Sequence, residues 1–211
     1  MIRKSLLLVF SIFVVLSCSV PLLAQESWEW VSFTGQREIF TYEITHYSEE
    51  WDRDTREYVR VENKQYMHID LQKLDDEKTE IFISYTYRVP TSELWDEFSY
   101  MGLGGLSAFT LSGGAWFGEF SNMSFFAADL DLIEGRIVEF WDGSWVRVID
   151  KREVNGIEGY YITKSYDESE GGELISEWII APNVPMPLFI KVYEDGEVTV
   201  IVELVEYLKE L

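Results

Sequence analysis

SWVRVIDKREVNGIEGYYITKSY, residues 144–166, decides the fold class. Two runs rich in β-branched and aromatic residues flank Asn155-Gly156. Both runs alternate, which marks a half-buried strand. Asn-Gly supplies the positive φ angles of a tight two-residue turn, so the stretch predicts a β-hairpin. The pattern repeats outward in both directions. Residues 136–141 (RIVEFW) run into Asp142-Gly143, and 174–181 (LISEWIIA) into a proline-rich turn from Pro182 to Pro187. Residues 188–194 and 197–207 surround Asp195-Gly196. Upstream, 37–47 (REIFTYEITHY) alternates, and 48–56 is polar and turn-like. Runs 57–62 and 65–74 flank Asn63-Lys64, and 79–89 ends at Pro90. Proline cannot donate to a ladder and so closes that strand. The expected class is mainly β, a β-rich α+β fold. It is an antiparallel meander with strands about every ten residues, which suits a curved sheet or incomplete barrel.

Charge narrows the partners. Among 211 residues, 38 are acidic and 17 basic, a formal charge of −21. Nucleic acid is excluded as a partner, because phosphate backbones need clustered Lys and Arg. Electrostatic docking on an anionic membrane is disfavoured for the same reason. Disorder is also disfavoured, since 8 Trp, 12 Tyr and 13 Phe are far too many aromatics for a disordered acidic chain. Residues 1–24 carry Arg3 and Lys4, an apolar run from Leu6 to Leu16, and Leu22-Leu23-Ala24 before Gln25. That layout predicts a secretory signal peptide and an exported, periplasmic or extracellular protein. Its removal leaves 15 basic residues against 38 acidic ones, or −23. Val15-Leu16-Ser17-Cys18 also resembles a bacterial lipobox. In that alternative Cys18 is lipidated and anchors the protein to a membrane; otherwise residues 25–211 carry no cysteine. Residues 25–211 are read as one domain.

One segment, 91–133, breaks the strand pattern. Residues 91–99 (TSELWDEFS) resemble a capped helix start. Tyr100 to Gly118 is a run of 19 uncharged residues, six of them glycine. A membrane-spanning helix is disfavoured, because glycine weakens helices and acids flank the run closely. The segment is expected to form short helices and turns covering the sheet. Its aromatics can plug the open side as core, cover a cavity for an apolar ligand, or present a protein contact surface.

The search for chemistry is mostly negative. The histidines are His46 and His68, and no nucleophile elbow or zinc-type His-Glu-x-x-His is present. Both histidines are expected in surface or hydrogen-bonded structural roles. Asp52 and Asp54, and the acids from Asp167 to Glu173, read as solvated loops and match no EF-hand spacing. Glu43, Glu139 and Asp150 lie on strands, with nothing to select a glycosidase pair. No catalytic residue, metal or cofactor is expected.

Asn155-Gly156-Ile157-Glu158-Gly159-Tyr160-Tyr161-Ile162 resembles the strand signature of periplasmic lipoprotein-carrier-like proteins, the LolA/LppX-like superfamily. Glu177 to Pro182, followed by Pro185-Met186-Pro187-Leu188, is similar to their tryptophan strand, proline turn and return strand. The resemblance covers roughly residues 135–207. It implies a curved antiparallel half-barrel with helices over its concave side, in proteins that carry lipids or lipoproteins. The glycine-rich segment departs from that pattern, where the family has cleaner helices. The resulting expectation is a non-enzymatic binding or carrier protein for an apolar ligand such as lipid or a lipoprotein acyl chain. Phe40, Tyr42, Ile69, Ile83 and Tyr85 would form the wall. Trp95, Phe98, Trp116, Phe117 and Phe120 would come from the covering segment. The alternative is a cell-envelope structural or interaction domain with a filled core.

Overall fold

A computed structural model describes residues 33, 35–53, 55–75, 77–87, 119, 123, 130–140, 142–169 and 171–211. The expected leader and most of the covering segment lie outside the described residues. The strands are β1 (Arg37–Asp52), β2 (Glu57–Lys73), β3 (Thr79–Tyr87), β4 (Ile137–Glu139), β5 (Trp145–Val154), β6 (Ile157–Ser165), β7 (Leu174–Ile180), β8 (Phe189–Glu194) and β9 (Glu197–Glu210). They form a single antiparallel sheet in the order β3-β2-β1-β9-β8-β7-β6-β5-β4. The sheet is curved and does not close, with β3 and β4 at its two edges.

Turn chemistry explains the C-terminal meander. Asn155 (φ 50°) and Gly156 (φ 79°) join β5 to β6, and Asp195 (φ 52°) and Gly196 (φ 78°) join β8 to β9. Positive φ at both positions gives the type I′ turn whose twist matches the flanking strands. The β4–β5 connection is wider. Phe140 N bonds Ser144 O at 2.7 Å, and Gly143 N bonds Phe140 O at 2.9 Å. β4 keeps only three of the six strand residues expected at 136–141.

Two expectations are corrected in the N-terminal half. β2 runs unbroken through Asn63-Lys64, which pair with His46 and Thr45 of β1. A single strand forms because the β1 ladder continues past both residues, and Lys64 bonds Glu43 at 2.8 Å. The polar stretch 48–56 is also mostly strand, with its tip confined to residues between Asp52 and Glu57. Trp51 lies opposite Tyr58, with ring centroids 5.2 Å apart in an edge contact. Aromatic cross-strand pairs of this kind support a sheet that polar flanks would not.

The core is one face of the sheet. Val148, Ile162, Trp178, Ile190, Val202, Ile44 and Gln65 are consecutive cross-strand partners over seven strands. All are buried, at 4% exposure or less. Met123, Leu130 and Leu132 join the same core. On β3 the expected alternation holds, but Ile81 and Ile83 are 63% and 49% exposed. An edge strand has one neighbour, so half of its lateral cover is missing.

Gly159 sits where β6 passes close to β7. A Cβ there would lie 2.8 Å from Ile179 Cγ2 and 2.8 Å from the Ile180 carbonyl oxygen. Gly159→Val is therefore expected to cost about 1–3 kcal/mol through overpacking. The urea midpoint should fall at unchanged slope. The exposed neighbour Glu153→Ala should stay within about 0.5 kcal/mol of the parent.

Candidate functional site

The five expected wall residues lie together on β1, β2 and β3. Phe40 pairs with Ile69, and Ile69 with Ile83. One step along, Tyr42 pairs with Met67, and Met67 with Tyr85. Phe40, Tyr42 and Ile69 are buried, Tyr85 is half-buried and Ile83 is exposed. Phe40 stacks on Tyr207 of β9, centroids 5.0 Å apart. The Tyr42 hydroxyl donates to the Pro187 carbonyl at 2.9 Å, tying β1 to the β7–β8 connection. Burial pushes that hydroxyl well above the usual phenol range, so it stays a donor. Trp95, Phe98, Trp116, Phe117 and Phe120 lie outside the described residues.

A second cluster on the same face has different chemistry. Lys164 pairs with Ser176 across β6 and β7, on the rung next to Ile162 and Trp178. Its side chain is 3% exposed. Lys164 Nζ lies 3.3 Å from each carboxylate oxygen of Glu119, and 3.5 Å from Asp142 Oδ2. The Ser176 hydroxyl donates to Glu119 Oε2 at 3.3 Å and accepts from Trp178 Nε1 at 2.8 Å. Asp142 Oδ1 accepts from Ser144 N at 2.9 Å and from Ser144 Oγ at 2.6 Å. Burial raises the Asp142 carboxyl pKa, but the two Ser144 bonds and the Lys164 ammonium outweigh it. The net shift is below the ordinary carboxyl value of 3.8.

The rung continues from Ser176 through Val192 and Val200 to His46. His46 Nε2 meets Gln65 Nε2 at 2.8 Å, and burial lowers the His46 pKa. A buried acid, Glu38, lies at the far end of β1. Its Oε2 accepts from the Tyr207 hydroxyl at 3.2 Å, and Lys209 Nζ lies 3.2 Å from Oε1.

The expected loop acids are held locally. The Asp167 carboxylate accepts from the backbone N–H and hydroxyl of Ser169. Glu43 accepts from Lys64 and from the Tyr66 hydroxyl, each at 2.8 Å. A cleft of about 400 Å³ lies between the β8–β9 turn and the middle of β1, lined by Tyr47, Glu49, Arg60, Glu194 and Glu197 among others. Arg60 crosses it to the Val198 carbonyl at 2.7 Å and stacks over the Tyr47 ring at 4.7 Å. Tyr47 is seven residues from Phe40, roughly 23 Å of strand. The cleft is thus separate from the wall residues.

No family model matches the chain, and no curated protein matches it. Among solved structures it is similar to a DUF1329 family protein from Desulfovibrio piger, at 9% identity and a TM-score of 0.22. The match covers 85% of this chain and 88% of that one. The likeness is weak.

Sequence reasoning passed over Lys164, Ser176 and Glu119, although each carried a signal. Lys164 shares strand parity with the apolar Tyr160 and Ile162, and Ser176 with Trp178 and Ile180. Glu119 is the first charge after the uncharged run. The β6–β7 register places Lys164 beside Ser176, and the tertiary fold brings Glu119 to both.

Removing one partner of a buried ion pair strands the other. Lys164→Met should cost about 3–5 kcal/mol, and adding Glu119→Gln should restore much of that loss. Equilibrium urea unfolding of the two single variants and the double variant checks the coupling, and additive effects would refute it. His46 gives a pH dependence. Its folded pKa lies below the ordinary 6.5, so the unfolded chain protonates first as pH falls. The His46 contribution is fully present above pH 6.5 and is lost as pH falls through the folded pKa. His46→Gln should flatten the stability profile between pH 7 and pH 5, measured by thermal unfolding.

Proposed function

We propose that this chain is an exported, non-enzymatic protein that binds or carries an apolar ligand such as lipid or a lipoprotein acyl chain. The observation that carries the proposal is the continuity of the apolar face to an uncovered edge. The rungs through Phe40 and Ile69 end at Ile83, which with Ile81 leaves large aliphatic side chains in water. Exposed contiguous apolar surface marks binding surfaces more often than it serves a monomer. Ligand burial there would be driven by about 25 cal/mol per Å² of apolar area removed from water. The uncharged aromatic run at 100–118 and the leader at 1–24 support the same reading from sequence.

A cell-envelope interaction domain with a filled core is the second reading. It is favoured by the tight burial of Phe40, Tyr42 and Ile69, which leaves those three little surface to offer a ligand. The readings diverge in one experiment. A carrier should show co-purifying lipid by native mass spectrometry and an enhanced signal from an apolar fluorescent probe. The double variant Ile81→Ser, Ile83→Ser should weaken probe binding several-fold while leaving stability little changed, since both side chains are exposed. Absence of both lipid and probe response would leave the interaction domain as the better account.

A further inference from the structure

β3 ends the sheet without the devices that usually protect an edge. Its nine residues, TEIFISYTY, contain no proline and no lysine. They pair with β2 in one unbroken register from Thr79 to Tyr87, so no bulge turns the strand aside. Among the described residues nothing pairs with its outer side. An exposed edge of this kind is a template for another strand. Its exposed side chains also point both ways. Ile81 and Ile83 pair with Leu71 and Ile69 on the core face. Phe82 pairs with Asp70, which Arg37 holds on the opposite face, yet Phe82 is 62% exposed. A ligand lying on the core face cannot cover Phe82. A strand added to the edge flanks both faces at once.

The sequence of β3 fits its own copy. In the antiparallel register that pairs all nine residues, Ile83 lies opposite itself. Ile81 then meets Tyr85 on the core face, while Phe82 meets Ser84 and Glu80 meets Thr86 on the other. Aromatic and β-branched partners stabilise a sheet, and like charges placed opposite each other destabilise it. Here no two charges meet. With 38 acids against 17 bases, most of the surface repels a second copy, and β3 offers contact without acid facing acid. We propose that two copies of this chain associate through β3, antiparallel about a two-fold axis at Ile83. The interface is isologous and uses up both β3 edges. The other edge, three-residue β4, is too short to extend the assembly, so it closes as a dimer. The rung through Phe40, Ile69 and Ile83 then continues into the same rung of the second copy. This goes beyond the carrier reading and does not depend on it.

Sedimentation equilibrium of the full chain should give twice the chain mass. Phe82→Lys should raise the dimer dissociation constant about tenfold or more, because each new lysine lies diagonally across the axis from its copy. Cysteine crosslinking reads the register, in a Cys18→Ser background that removes the one native cysteine. Ile83→Cys brings two Cβ atoms about 4.5–5.5 Å apart, a small shift from disulfide geometry, and should crosslink under mild oxidation. Glu80→Cys leaves them roughly 20 Å apart and should not. A monomeric parent, a dimer that Phe82→Lys leaves intact, or a dimer that Ile83→Cys fails to crosslink would overturn the pairing. Apolar-probe binding by the same parent sample decides the carrier reading separately, so a monomer that binds the probe overturns the dimer alone. The parent measurement needs no substitution, so a variant that fails to fold does not block it.

Discussion

The ladder between β1 and β9 is the pairing on which the rest of the molecule depends. It joins Arg37 to Glu210 and His46 to Val200, residues more than 150 positions apart. Among the described residues it is the only ladder linking β1–β3 to the six-stranded meander β4–β9. Each half alone has an open edge and an apolar face that it cannot bury. The ladder contains a register shift at Thr41/Tyr42, which leaves Val205 without a partner. Without that bulge, the odd spacing of three positions from Leu204 to Tyr207 would place them on opposite faces. With it, Phe40 meets Tyr207 and Tyr42 meets Leu204 on the same buried face. A one-residue slip elsewhere in this ladder would turn the core outward.

Joining the halves at β1 and β9 decides which strands become edges. β4 is three residues long, too short to template further pairing, and its neighbour β5 carries most of the hairpin. β3 has nine residues, and Ile81, Phe82 and Ile83 are all exposed. The two edges therefore differ in kind. One is blunted by brevity, as sheet edges commonly are, and the other is long, apolar and nearly uncharged, with Glu80 as its single charge. That asymmetry gives the sheet one adhesive side.

Strand alternation and two-residue turns made most of this architecture legible in the sequence. The hairpins at Asn155-Gly156 and Asp195-Gly196 are dictated locally, because few dipeptides tolerate positive φ twice in succession. The β1–β2 tip was misread because Glu49, Glu50 and Asp52 look like a loop. The pairing that keeps this stretch extended, Trp51 with Tyr58, is cross-strand information. The Lys164 cluster was illegible for a related reason. Its members are Glu119, Asp142, Lys164 and Ser176, on separate segments, and a lysine in an alternating strand reads as solvent-facing. Parity with Tyr160 and Ile162 argues otherwise, but parity alone does not reveal which face is covered.

The buried face carries a charged cluster at each end, and each cluster pairs a lysine with acid. Lys164 lies on the rung that reaches His46, while Glu38 lies four rungs away along β1. Eight residues of strand separate these rungs, roughly 26 Å. Between them the β1 positions facing the core are Phe40, Tyr42 and Ile44, none of them charged. Glu38 is already matched by Tyr207 and Lys209, and its charge pushes the Tyr207 hydroxyl pKa further up, after burial itself. Lys164 is likewise matched, by Glu119 and Asp142. The two clusters thus bracket an apolar stretch with groups that cost stability to bury. Reinforcement of the sheet comes instead from the apolar rung through Trp178, which runs from Val148 to Ile44 over six strands and ends at Gln65.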